Sequence, residues 1–138
     1  FFMLSTLDNE GLQKFSNLQE SLDDFSAEVA SDFPNNKDYL DNLFRETFRI
    51  LNENEPNVFR KWNSDKGKFI GGFLISAFEA FAAGLGYCIA NSLGYNTNFN
   101  SLVQEFWSAS EALTRSTGKS SEGRIRRTVP SGRSLVEK

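Results

Sequence analysis

Apolar residues recur at helical spacing in three stretches of this chain. Separations of three and four residues place side chains on one face of an amphipathic helix, which is expected to face a core. The three predicted inward stripes are Leu18, Leu22, Phe25 and Val29; Leu40, Leu43, Phe44, Thr47, Phe48 and Leu51; and Phe99, Leu102, Val103, Phe106, Ala109 and Leu113, with Trp107 beside the last.

Turn and cap residues separate the predicted helices. The first helix should end between Ser31 and Pro34, because the residue before a proline is pushed out of the helical region. A short last helix should end before Pro130. The predicted N-caps are Asn36 or Asp38 for the second helix, Asn98 or Asn100 for the third, and Ser120 or Ser121 for a last helix over Arg124–Val129.

The segment from Phe69 to Asn91 is apolar on every side and carries one charge, Glu79, at its centre. Its length would suit a bilayer span. A carboxylate at the midpoint of a span costs about 2.5–3.5 kcal/mol, however, and no basic belt follows Asn91. The amphipathic helices around it also need a partner surface. We therefore predict a buried central helix over Phe69–Asn91 and no membrane.

No stretch shows sustained alternation of apolar and polar residues, and Asn-Gly turns are absent. The chain is therefore predicted to be all-α, a bundle of four to six helices around the central helix. Residues 1–114 would form the helical domain, and 115–138 a basic C-terminal segment with one short helix.

A buried Glu79 would need a cationic partner, and Arg45, Arg49 and Arg60 are the candidates among the predicted helices. The structural role is favoured over a catalytic one, because no second acid is paired with it in the sequence.

The composition leaves little room for catalysis. There is no histidine, so the commonest general base and neutral metal ligand are missing. Cys88 is the only cysteine, which excludes an internal disulfide and a Cys/His zinc site. We predict no catalytic residue, metal or cofactor here. A single buried cysteine and the absence of a signal peptide agree with a cytoplasmic protein, and a start at Phe1 suggests a fragment of a longer one.

Charge is unevenly distributed. Residues 1–114 carry 8 Lys/Arg and 16 Asp/Glu, whereas residues 115–138 carry 7 Lys/Arg and 2 Asp/Glu. The basic segment could contact phosphates or fold back on the acidic body. The predicted nucleic-acid contacts are Lys119, Arg124, Arg126 and Arg127. Neutralising these four should abolish a strongly salt-dependent DNA binding.

Several stretches together resemble the helical region of the GmrSD-type family of modification-dependent restriction proteins. They are FFMLSTLDN at the start, the Leu22–Phe25 helix, NLFRETFRILNENEPNVFRKW, FIGGFLISAFEAFAAGL, and the ending from Thr117 to Arg126. In that family an N-terminal ParB-like domain carries Asp-Gly-Gln-Gln-Arg-like residues and the nuclease or NTPase chemistry. No such motif occurs here, so no catalytic residue is carried over.

The resemblance implies a non-catalytic helical domain of a phage-defence restriction protein. It would pack on an upstream catalytic domain of the same protein and could help to hold DNA. The alternative, from the residues alone, is a protein–protein interaction module with a Phe-lined groove for a partner helix. That alternative predicts an exposed apolar patch of several hundred Å².

Overall fold

The computed structural model describes residues 1–14, 16–109 and 120–138, which form seven helices and one β-hairpin. The elements are α1 (Phe2–Thr6), α2 (Asn9–Lys14), α3 (Leu18–Ser31), α4 (Phe33–Asn54), β1 (Lys61–Asn63), β2 (Lys68–Ile70), α5 (Ile75–Ala90), α6 (Phe99–Ala109) and α7 (Ser121–Val136). The predicted all-α class is confirmed, with seven helices in these ranges instead of four to six.

Helix α5 is the centre of the molecule. Every residue from 79 to 86 is buried, and α1, α4 and α7 all pack against it. A helix that is apolar on all sides is stable only when it is enclosed in this way. In the described ranges, no helix is long and apolar enough to cross a membrane.

The predicted start of this helix at Phe69 was wrong. Residues 68–70 instead form β2, which pairs antiparallel with β1 so that Trp62 faces Phe69. Gly71 adopts a positive φ of 68°, which ends the strand and turns the chain before Ile75. Two strands of three residues are too short to show a period of two in the sequence.

The junction between α3 and α4 is tighter than predicted. Helix α3 does end at Ser31, but α4 begins at Phe33, so Asn36 and Asp38 lie inside it and cap nothing. The physical reason is Pro34. In the first turn of a helix its missing N–H is not needed, and its fixed φ suits the helix.

Helix α6 largely follows the prediction. Asn98 caps it, accepting a hydrogen bond from the Ser101 amide at 3.4 Å. Ala109 is exposed rather than buried, and Leu113 lies outside the described residues. The predicted residues that are buried are Phe99, Leu102, Val103, Phe106 and Trp107.

Helix α7 is longer than predicted and belongs to the core. Ser120 caps it as expected, accepting from the Gly123 amide at 3.2 Å. The helix runs through Pro130 to Val136, although an internal proline costs a backbone hydrogen bond. Val129 and Val136 are fully buried, so packing on the rest of the bundle outweighs that cost. Residues 121–136 thus share one core with the preceding helices.

Candidate functional site

Arg124, a predicted phosphate contact, is engaged in a buried ion pair. Its Nε and Nη2 donate to the Glu79 carboxylate, with Nε 3.0 Å from both oxygens and Nη2 2.8 Å from Oε1. The Thr128 hydroxyl donates to Glu79 Oε2 at 2.7 Å. The carboxylate side chain is 4% exposed and that of Arg124 is 22% exposed. Glu79 therefore fixes α7 on α5 and engages the Nε and Nη2 of Arg124.

The predicted partners of Glu79 were wrong. Arg45 pairs with Asp41 at 2.7 Å, and Arg49 pairs with carboxylates of its own helix. Arg60 donates to the Gly71 carbonyl at 2.9 Å. Intrahelical partners three or four residues away satisfy the α4 arginines locally. The actual partner, Arg124, lies on α7, in the segment that was predicted to lie outside the helical domain.

Two of the other predicted phosphate contacts, Arg126 and Arg127, lie on α7 with Arg124. Arg126 and Arg127 are half-buried, and Arg127 Nε donates to the Gly123 carbonyl at 3.0 Å. Lys119 lies outside the described residues. Residues 121–136 of the basic segment pack on α5, and the predicted nucleic-acid contacts stay a prediction.

Arg133 is a buried cation that the sequence did not reveal. It is 2% exposed, and it donates to Asn9 Oδ1 at 2.8 Å and to the carbonyls of Leu4 and Leu7 at 2.8 and 2.5 Å. Its guanidinium lies 3.7 Å from the Tyr87 ring centre. Burial lowers the pKa of Arg133. These contacts join α7 to α1 and α2, which is a structural role.

The described residues show no candidate metal site. No group of three or more His, Cys, Asp or Glu that could hold a metal ion occurs in those ranges. Cys88 is fully buried, as predicted. Burial raises the pKa of its thiol to about 11, and the charge of Glu137 adds to the shift.

Cys88 is therefore expected to resist thiol reagents while the chain is folded. Only the thiolate reacts, so burial and the raised pKa should together make labelling at pH 8 at least about a hundredfold slower than in the unfolded chain. Absorbance after adding a disulfide reagent, with and without guanidinium, measures both rates. Equal rates would show that the side chain is accessible.

An apolar groove lies between α3 and α4. It has a volume of about 510 Å³ and opens to solvent. A smaller depression of about 150 Å³ adjoins it and shares Phe25, Val29 and Leu40. The groove is lined by Phe2, Phe25, Val29, Phe33, Lys37, Leu40, Asp41 and Phe44.

The groove exists because the apolar stripe of α4 is wider than one helix face. Leu43 and Leu51 point into the core, whereas Phe44 and Phe33 are 45% and 48% exposed. The prediction that Phe44 faces inward was therefore wrong. Leu22 of α3, also predicted to face inward, is 40% exposed. A stripe too wide for the core was the signal in the sequence that could have revealed the groove.

Aromatic contacts connect the groove with a second exposed region. Phe44 stacks on Phe48 with ring centres 4.5 Å apart, and Phe48 lies 6.2 Å from Phe78. Phe78 in turn contacts Phe73 at 5.8 Å, and Phe73 is 60% exposed. The link runs through Phe48 and Phe78, which are partly buried, and Phe73 itself does not line the groove.

The helices that form the groove are acidic. Residues 16–54 carry three Lys/Arg and nine Asp/Glu, a net charge of −6. Arg45 donates to Asp41 on the groove wall at 2.7 Å and thereby lowers the pKa of that carboxyl. Helix α3 alone contains four carboxylates and no Lys or Arg.

Comparison of the chain with protein-family models, with curated proteins and with solved structures found no match.

Proposed function

We propose that this chain is a helical interaction module that binds an amphipathic helix of a protein partner in the α3–α4 groove. The observation that carries the proposal is the open groove itself, which exposes Phe33 and Phe44 about three turns apart along α4. Grooves between two helices receive a third helix through large apolar anchors.

The engagement of the basic residues also favours this function over nucleic-acid binding. Arg124 is held by Glu79, and the Arg127 Nε is taken by a backbone carbonyl. Phosphate backbones are bound by several free cations acting together. That this chain is the helical domain of a GmrSD-type restriction protein, packed on an upstream nuclease or NTPase domain, stays a prediction. In such a protein the groove would be the surface that meets the upstream domain.

Replacing Phe33 by serine is expected to weaken partner binding about tenfold, about 1.4 kcal/mol, because an aromatic anchor in a groove carries a large share of the affinity. The probe is a synthetic helix with leucines at positions 1, 5, 8 and 12 and glutamines elsewhere. Its affinity is measured by isothermal titration, and the contacted amides by NMR titration of the labelled chain.

The matched control is Phe73→Ser. Phe73 is more exposed than Phe33, at 60%, but lies outside the groove. The Phe73→Ser substitution should leave the affinity for the synthetic helix unchanged. If both serine variants weaken binding equally, or if the shifted amides lie away from α3 and α4, the groove is not the binding site.

A further inference from the structure

We propose, on the basis of the function proposed above, that the groove takes a helix rich in lysine and arginine. The partner would present an apolar stripe to the groove and basic side chains to the two helices that form its walls. Complementary charge around an apolar contact sets the choice of partner and speeds association.

The carboxylates of α3 are the first reason. Its four acidic residues, Glu20, Asp23, Asp24 and Glu28, have no ion-pair partner among the described residues. Glu28 also lines the smaller depression that adjoins the groove. Helix α3 therefore carries four carboxylates without an ion-pair partner in the described ranges, and Glu28 is the one that lies beside the groove.

The cations of α4 do not offset that charge, because each already has a carboxylate of its own helix. Arg45 pairs with Asp41, and Arg49 pairs with Glu46 and Glu53. Lys37, the cation on the groove lining, lies 3.8 Å from Asp38. The two helices that form the walls of the groove therefore keep a net negative charge.

The shape of the open surface fits a helix of about three turns. On α4 the lining residues Phe33, Lys37, Leu40 and Phe44 are separated by four, three and four residues. Eleven residues of α-helix span about 16 Å. This spacing is that of a seam between two packed helices, so the ligand is a helix with apolar residues at the same spacing.

The same charges disfavour other occupants. A second copy would bring an equally acidic pair of helices, and like charges placed together oppose association. An anionic lipid surface or a nucleic acid would be repelled for the same reason. Helix α7, which holds most of the described C-terminal cations, is packed on α5 and does not reach the groove.

Three synthetic helices test the partner's chemistry with the intact chain. All carry leucines at positions 1, 5, 8 and 12, and their other positions hold mainly lysine, mainly glutamine or mainly glutamate. At about 10 mM salt the lysine helix should bind at least tenfold more tightly than the glutamate helix. The difference should fall below about threefold at 1 M salt, where charges are screened within about 3 Å.

Two double variants locate the effect. Asp24→Asn with Glu28→Gln should remove most of the preference for the lysine helix. Asp65→Asn with Glu105→Gln changes the net charge equally, away from the groove, and should leave the preference in place. Equal loss in both would overturn the inference by showing attraction to the acidic body as a whole.

The outcomes separate this inference from the proposed function. If all three helices bind equally and Phe33→Ser weakens each of them, the groove binds helices without regard to charge, and the basic partner is refuted alone. If none binds, or if Phe33→Ser has no effect on any, both the inference and the proposed function are refuted.

Discussion

Replacement of Arg124 by leucine is expected to lower the free energy of unfolding by about 3 kcal/mol or more. The substitution leaves the Glu79 carboxylate, which is 4% exposed, with the Thr128 hydroxyl as its one side-chain donor among the described residues. Removal of one member of a buried ion pair typically costs about 3–5 kcal/mol, because the other charge stays buried without compensation. Glu79→Leu should cost less, since Arg124 is 22% exposed and can regain some water.

Urea denaturation of the single and double variants measures the coupling. The double variant, Glu79→Leu with Arg124→Leu, should be more stable than Arg124→Leu alone, because no unpaired charge remains. Asp41→Asn on the surface of α4 serves as a control and should change little, since exposed pairs are weak. A double variant that loses the sum of the two single losses would show that the pair is not energetically coupled.

Replacement of Gly132 by alanine should destabilise the chain by about 1–3 kcal/mol. A Cβ at Gly132 would lie under 3.0 Å from the oxygen, Cα and carbonyl carbon of Ala80. These are backbone atoms of α5, so no side chain can rotate away and one helix must shift. A Cβ on Gly84 of α5 would in turn lie 3.0 Å from the carbonyl carbon of Gly132, so the backbones of α5 and α7 are in contact at this point.

Gly123→Ala in the same helix is the matched control. The nearest atom to its added Cβ would be Ser120 Oγ at 3.5 Å, an ordinary contact. The higher helix propensity of alanine should therefore raise stability by about 0.5 kcal/mol. In thermal unfolding, Gly132→Ala should therefore lower the melting temperature and Gly123→Ala should raise it. A loss of similar size in both would assign the effect to α7 generally rather than to the contact with α5.

The fold class could be predicted from the sequence because most helices are long enough for the helical period of their apolar residues to repeat. Helix α6 was located through Phe99, Leu102 and Phe106, which recur at helical spacing and are buried. The start of α5 was missed because the chain forms a hairpin of two three-residue strands before it. The extension of α7 through Pro130 could not be predicted either, since it depends on packing against α5 rather than on local preference.

The candidate site was less accessible than the fold. The alternative interpretation of the sequence includes a groove lined by phenylalanines. Half of the lining (Phe25, Val29, Leu40 and Phe44) is nevertheless predicted to face the core, because helical spacing alone does not distinguish a buried stripe from an exposed stripe beside it. Phe44 is the example, with 45% of its surface exposed. The partner of Glu79 was missed for a related reason. It lies 45 residues away in sequence, on an element whose position only the tertiary structure reveals.

The buried Arg133 has a consequence for the order in which the molecule is assembled. Its hydrogen bonds to Leu4, Leu7 and Asn9 span 129, 126 and 124 residues of sequence. During synthesis α1 and α2 leave the ribosome long before the arginine that holds them. Contacts so distant in sequence close large loops and form late. Helix α1 can pack on α5 before that step, whereas the hydrogen bonds from Arg133 are expected to form last, which makes the docking of α7 the step that completes the native state.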